Sequence, residues 1–419
     1  MNRIDYILDF CKELGKEMIV SGANIERVDH CIERICHAYG LHDVTCANLS
    51  TRISISAKDE NKLYAHRQTD VPPQAINLER LKKLNGLSFE VVKNTPDEKT
   101  LYDLLHAVKS NDFPWWVILI GFLVAMMGLA RIFCAGWAEI LVVELNTLML
   151  FGLSKLYSKV HINKIITNFV SMFLCSLVAM GFYALGFISN FFVICIANAF
   201  FLIPGIPMIN CARNLLCGNE MNGVIELLKV LLEVLTIVAG VGAAYALLGG
   251  VVGQPKIEDV MYLRDNLDKV LSSFELVILT LLASAGFSIV FNIQLKDLPF
   301  AALGGVIVRI VYILLQLAFE NFPFVFTVGA SFCAALYSEI LAISKKEPST
   351  LYLYPSIVPL IPGDLIYYIG LGVIWSKGDF IVDKGPTLAL SLVGISVGFV
   401  LCSTVVHYFR KVKFLRLDK

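Results

Sequence analysis

From Trp115 onward the chain is a succession of apolar runs, and that succession decides the solvent before it decides the fold. The runs lie near 115–134, 138–153, 165–186, 188–208, 223–248, 274–293, 298–318, 323–343, 353–375 and 386–408. Most approach the ~20 residues a helix needs to cross a bilayer. Within lipid only helices and closed barrels satisfy their own backbone, so ten spanning helices are expected. The hydrophobic fraction of 57% and mean hydropathy of +0.69 also lie outside the range of soluble domains.

The charges divide the chain. Residues 1–114 hold 15 Lys/Arg and 17 Asp/Glu, against 20 and 18 in all the rest. The sequence therefore predicts a soluble domain over 1–114, a first membrane repeat over 115–250, a linker over 251–272 and a second repeat over 273–419 that ends in a basic tail. The opening MNRIDYILDFCKELGKEMIV scatters charge where a secretory signal would be continuously apolar, which places the soluble domain in the cytoplasm. Lys/Arg and Asp/Glu balance at 35 each, and no nucleic-acid partner is expected. The eleven cysteines show no regular framework, and His30, Cys31, Cys36 and His37 do not converge on one point of a helix, so neither a metal nor a cofactor is expected.

The soluble domain reads as small and mixed α/β. Ile25, Val28, Ile32, Ile35 and Tyr39 share a helical face, with Asn24 as N-cap and Gly40 past the end. Ile53 and Ile55 alternate with Arg52, Ser54 and Ser56 as in a half-buried strand, and KLYAHRQT follows as its hairpin partner. Two charged helices come next, around INLERLKKLNGLSFEVV and PDEKTLYDLLHAVK. No nucleophile and base are paired, and the chain is not expected to be an enzyme.

With the soluble domain inside, inner loops and tail collect twelve Lys/Arg against six outside, the usual positive-inside bias. Both termini are then cytoplasmic, and the protein is a multi-pass component of the cytoplasmic membrane. The linker falls outside and divides the spans five and five, so the halves enter the bilayer in opposite orientations. Each half carries a Pro-Gly break in its fourth span: LIPGIPMIN around Pro204, Gly205 and Pro207, and SIVPLIPGDLI around Pro362 and Gly363. Counted from Trp116 and Phe274, each break lies 88 residues into its half. Inverted repeats with broken helices in corresponding positions are the signature of a secondary transporter, with its site near the midplane.

SGANIERVDHCIERICHAYGL, INLERLKKLNGLS, FLIPGIPMINCARNLLCGNEMNGV and YPSIVPLIPGDLIYY, in that order, resemble stretches of the threonine/serine exporter family over nearly the whole chain. The resemblance implies two modules, here fused, and export of threonine and serine driven by the proton gradient, with the lipid bilayer as environment and a homo-oligomer left open. It leaves dicarboxylate export as an alternative substrate class. A passive channel built on broken helices is the weaker competitor. Where the family reads RDLL, this chain has Arg213-Asn214-Leu215-Leu216.

Ionisable groups inside spans are costly and face the pathway by default. Asp364 follows the second break, where a carboxylate could exchange the coupling proton or cap the half-helix beginning near Leu365. Glu339 and Glu144 are further candidates for the proton, and Glu139 is expected at the outer boundary. Glu226, Lys229 and Glu233 share one face of the fifth span and are expected to form an ion-pair network. Arg309 and Arg213 can meet a substrate carboxylate. Asn198, Asn210 and Tyr367 can bond a hydroxyl side chain, and the N–H groups after Gly205 and Gly363 can meet an anion. An intramembrane aspartyl protease would need a second spanning Asp, which the runs do not offer.

Overall fold

The computed structural model describes residues 2–60, 62–160, 162–252, 271–319, 322–374 and 378–417; the expected linker 251–272 lies, apart from its ends, outside them. The chain forms two compact units. One comprises Met1–Pro114, Phe291–Lys296 and Ile340–Tyr352, and the other Trp115–Val290, Asp297–Glu339 and Leu353–Lys419.

In the first unit, helices α1 (Arg3–Val20) and α2 (Ile25–Ala38) precede strands β1 (His42–Cys46), β2 (Arg52–Lys58) and β3 (Tyr64–Asp70), followed by α3 (Leu78–Asn94) and α4 (Leu101–Ala107). The sheet is antiparallel in the order β1-β2-β3. The period-two alternation places Ile53, Ile55 and Ala57 on the buried face, where α1 and α2 supply Ile7, Leu14, Val28 and Ile32. Gly15 permits that approach: a Cβ there would lie 3.0 Å from Ile53 Cδ1. Arg67 of β3 is held to α1 by Asp5 and by Asp9 at 3.1 Å. Asn24 occupies the N-cap of α2 as expected, but its side chain makes no capping bond; its carbonyl accepts from Arg27 and Val28 instead.

The second unit is helical: α5 (Trp115–Ile132), α6 (Trp137–Val160), α7 (Lys164–Ala184), α8 (Phe191–Leu202), α9 (Gly205–Leu216), α10 (Glu220–Val252), α11 (Ser273–Val290), α12 (Leu298–Phe319), α13 (Pro323–Lys345), α14 (Thr350–Ile357) with a 3₁₀ turn (Val358–Leu360), α15 (Gly363–Ile374) and α16 (Gly378–Leu417). The end of α13 and the start of α14 belong to the first unit. Among the described residues seven helices are long and apolar enough to cross a membrane, and two bent pairs raise this to nine. The chain is thus a polytopic α-helical membrane protein. The run expected at 223–248 lies within α10, which is not among the nine.

Small residues set the closest helix contacts. α5 packs on α11, where a Cβ on Gly121 would meet Ile289 at 2.8 Å and one on Gly286 would meet the Ala125 nitrogen at 2.5 Å. Gly240 of α10 lies against the α7 backbone at Phe169 and Phe173, and Gly398 of α16 lies against the α13 backbone at Val328 and Phe332. α10 packs against both α9 and α15, and α16 packs against the same two helices.

Candidate functional site

Proline drives its predecessor out of the helical region, so an Ile-Pro-Gly sequence inside an apolar helix must open the backbone. Both breaks do so in the same way. Ile203 has φ −64° and ψ 128°, and Ile361 has φ −64° and ψ 123°. At each break the glycine N–H donates back to the isoleucine carbonyl at 2.9 Å. The proline carbonyl then accepts the first bond of the new helix, from Met208 at 3.0 Å and from Ile366 at 3.5 Å. The bends are 65° between α8 and α9 and 47° between the α14 segment and α15.

The two breaks also touch. A Cβ on Gly205 would lie 2.9 Å from Ile361 Cδ1, and one on Gly363 would lie 2.8 Å from the Phe200 ring. Each glycine therefore packs against a residue just before the other break, and α8 packs against α15. Pro204, Pro362 and Gly363 are buried, while Gly205 and Pro207 are partly exposed.

Around this crossing the polar side chains are buried and poorly matched. Phe191 to Ala199 of α8 are all buried, as expected of a helix apolar on every side. Asn198 lies within that stretch at 0% exposure, and neither of its amide atoms has a hydrogen-bond partner among the described residues. The Tyr367 hydroxyl is equally buried and, among the described residues, meets no partner beyond the weak contact of the Cys195 thiol. Cys195 itself donates to Ser176 at 3.6 Å. A buried amide left unbonded costs several kcal/mol in an apolar setting, of order 1–3 by protein mutational measures, and native structures retain few such groups.

Arg309 lies on α12 with its guanidinium turned inward, donating to Thr280 Oγ1 at 3.0 Å and to the Pro359 carbonyl at 3.4 Å. Pro359 sits in the 3₁₀ turn before the second break, so Arg309 bonds a carbonyl at the opened ladder. Asp364 is buried in the first turn of α15, which begins at Gly363, two residues before the start expected near Leu365. Asn210 is buried in α9, and Arg213 stands half-exposed in its last turn. Glu339 is half-buried near the end of α13. Glu144 lies on α6, remote in sequence from both breaks, with both carboxylate oxygens buried and unbonded among the described residues.

Two further carboxylate positions acquire partners, and one expectation changes. Glu139, in the first turn of α6, is buried and accepts from the Ser189 backbone at 2.8 Å, so it anchors the turn before α8. Glu226, Lys229 and Glu233 do not form one network: Glu233 pairs with Lys164 of α7 at 2.8 Å, Lys229 is exposed, and Glu226 accepts from the Asn214 amide at 2.9 Å. The spacing i, i+3, i+7 reports a shared face but not which neighbouring helix covers each turn of it. Phe200, Ile361, Ser176 and Thr280 were missed as site residues, because apolar and hydroxyl side chains carry no signal until the fold brings them to the breaks.

No curated protein and no solved structure matches the chain. Family comparison gives two matches in chain order: residues 9–248 to a family described as threonine/serine exporter, and residues 276–405 to one described as Threonine/Serine exporter, ThrE. The first match alone covers more than half the chain and both breaks lie within matched regions, so the chain belongs to the threonine/serine exporter family.

Proposed function

We propose that the protein is a proton-coupled exporter of L-threonine and L-serine that works by alternating access between two inverted five-helix repeats. The observation that carries this reading is the reciprocal contact of two geometrically equivalent breaks, with the unbonded amide of Asn198 and hydroxyl of Tyr367 buried beside them. Related packing supports the repeats: each half's fifth span lies by a glycine on the backbone of its third, and each fifth span covers the post-break helix of the other half. On this reading ten spans cross the membrane, both termini are cytoplasmic, residues 1–114 form the core of a cytoplasmic domain, and 251–272 lies outside.

The substrate's carboxylate is met by N–H groups of the half-helices that start after Gly205 and Gly363, where the helix dipole favours an anion. Asn198, Asn210 and Tyr367 bond the hydroxyl side chain, and Asp364 attracts the ammonium group or exchanges the proton, with Glu339 and Glu144 as alternative proton carriers. Arg309 holds the second break open through the Pro359 carbonyl, and Arg213 closes the inner end of α9. Dipoles aimed at an anion from a cavity also account for broken backbone at membrane depth, since lipid-facing backbone could not be left unbonded.

The test is uptake of labelled L-threonine and L-serine into everted vesicles with and without an inside-acid gradient, with succinate as a competing substrate. Gradient-dependent accumulation of either amino acid is the expected result. Succinate accumulation alone would reassign the substrate to dicarboxylates, and equal uptake with and without the gradient would make the protein a passive channel.

A further inference from the structure

Glu226 was expected in an ion-pair network with Lys229 and is bonded by a neutral amide instead. It sits at 6% exposure on α10, two turns from the start of that helix. Its Oε2 accepts from the Asn214 side-chain amide of α9 at 2.9 Å, and Asn214 is itself 5% exposed. The α9–α10 connection around the pair is tight. A Cβ on Gly223 would stand 2.6 Å from Leu215, the Asn219 N–H bonds the Asn214 carbonyl at 2.9 Å, and Asn222 bonds Asn219 at 2.8 Å.

No cation forms an ion pair with Glu226 among the described residues. Lys229, one turn on, is exposed, and Lys164 of α7 is committed to Glu233. The helices packed on α10 present few other ionisable groups: Cys175 and Tyr183 on α7, Cys195 on α8, Cys211 and Arg213 on α9, and Asp364, Tyr367 and Tyr368 on α15. Two groups lie within electrostatic reach of the carboxylate: the Cys211 thiol on α9 and, on α10 itself, the exposed Lys229, whose charge favours the ionised form without forming an ion pair.

A buried carboxylate kept for stability is normally paired with a cation, because an amide offsets little of its desolvation. A neutral amide has a different property. Its N–H donates to the ionised carboxylate, and after rotation its oxygen accepts from the carboxylic acid, so both protonation states are bonded. α10 also packs against both post-break helices, α9 and α15, which puts the group on the element common to the two breaks.

We infer that Glu226 binds and releases the coupling proton, with Asn214 as a positioning residue that keeps its carboxyl on α9 in either state. The step is simple in balance: the carboxylate takes one proton from the side to which substrate is delivered and gives it up on the side from which substrate is taken. This rests on the exporter reading above and adds to it a residue other than Asp364, Glu339 and Glu144.

The experiment uses the full-length protein in proteoliposomes, with labelled L-threonine measured in two modes: accumulation driven by a proton gradient, and exchange against unlabelled L-threonine without one. Wild type accumulating nothing in the first mode would sink the exporter reading itself. With wild type active, E226Q is expected to lose accumulation down to the level seen without a gradient while still exchanging, since exchange moves no net proton. Gln can still bond Asn214, so a purely structural role predicts wild-type accumulation, and that result overturns the inference. Loss of exchange together with accumulation in a folded E226Q also overturns it, because the residue would then serve substrate passage. N214D places a second carboxyl on the first, and two such groups share one proton. Its accumulation-versus-pH curve is expected to move toward alkaline pH by about one unit or more. A curve superimposed on wild type would count against Glu226 as the titrating group.

Discussion

Asn198 shows most directly how a single residue separates function from stability. Its carboxamide is completely buried and, among the described residues, unbonded on both sides, a state that costs roughly 1–3 kcal/mol for a polar group removed from water. If the amide exists to meet substrate, replacing it by an apolar group of similar shape removes a cost and a function together. Asn198→Leu is expected to stabilise the protein by about 1 kcal/mol in a detergent thermal-shift assay and to abolish threonine uptake. A variant that is destabilised and still transports would mean the amide has a bonding role in the resting fold. Asn198 stood out in the sequence because a lone amide in an apolar helix is expensive. That it is unbonded, whereas Asn214 and Asn146 are bonded to Glu226 and to the Cys175 carbonyl, required the neighbouring helices.

At the scale of elements, the breaks were legible and their meeting was not. Pro and Gly inside apolar runs declare an opened helix on chemistry alone, and the period-two pattern of residues 52–58 declared β2 for the same kind of reason. β1 was missed because HDVTC buries no residue fully and so shows no alternation. The reciprocal packing of Gly205 on Ile361 and of Gly363 on Phe200 joins residues from different halves, which no local pattern encodes. It has an asymmetric consequence. A methyl added at Gly205 meets the flexible end of Ile361, which can move, whereas one added at Gly363 meets an aromatic ring along its edge. Neither glycine has a positive φ, so the difference is packing and not backbone strain. Gly205→Ala is expected to transport within about twofold of wild type, and Gly363→Ala to be destabilised by about 1–3 kcal/mol with loss of transport. Phe200→Leu in the Gly363→Ala background should recover part of both; thermal shift and vesicle uptake of the single and double variants decide it, and no recovery would place the fault elsewhere than the Phe200 contact.

At the scale of the whole molecule, the first unit is not a contiguous N-terminal segment. Phe291–Lys296 and Ile340–Tyr352, which flank helices of the second half, belong to it, and buried polar contacts fix them there. Asn292, in the left-handed region at φ 60° and 3% exposed, donates to Asp112 at 2.8 Å and to Asn77 at 3.2 Å, and accepts from the Phe113 N–H at 2.7 Å. The Leu78 N–H bonds the Phe291 carbonyl at 2.9 Å, and Lys82 pairs with Glu347 at side-chain exposures of 17% and 11%. The sequence boundary at residue 114 described the charge distribution, and the structural unit extends past it. Burial raises the Asp112 carboxyl, but the bonds from Asn77, Ser110 and Asn292 outweigh that and hold it below the usual carboxylate range. A carboxylate depressed by folding contributes stability that is present above its unfolded value, about 3.9, and that is lost as pH falls through the lower folded value. Asn292→Gly keeps the left-handed backbone and removes the amide, so it isolates the clamp. Hydrogen exchange at the Leu78 and Phe113 amides, corrected for its intrinsic pH dependence, is expected to speed up in Asn292→Gly at pH 7. As pH falls below 4 wild type should converge on the variant, because protonated Asp112 no longer serves as an anionic acceptor for the Asn292 amide. Equal protection in the two proteins at pH 7 would show that the second-half segment is held in the first unit by its backbone and by Lys82–Glu347 alone.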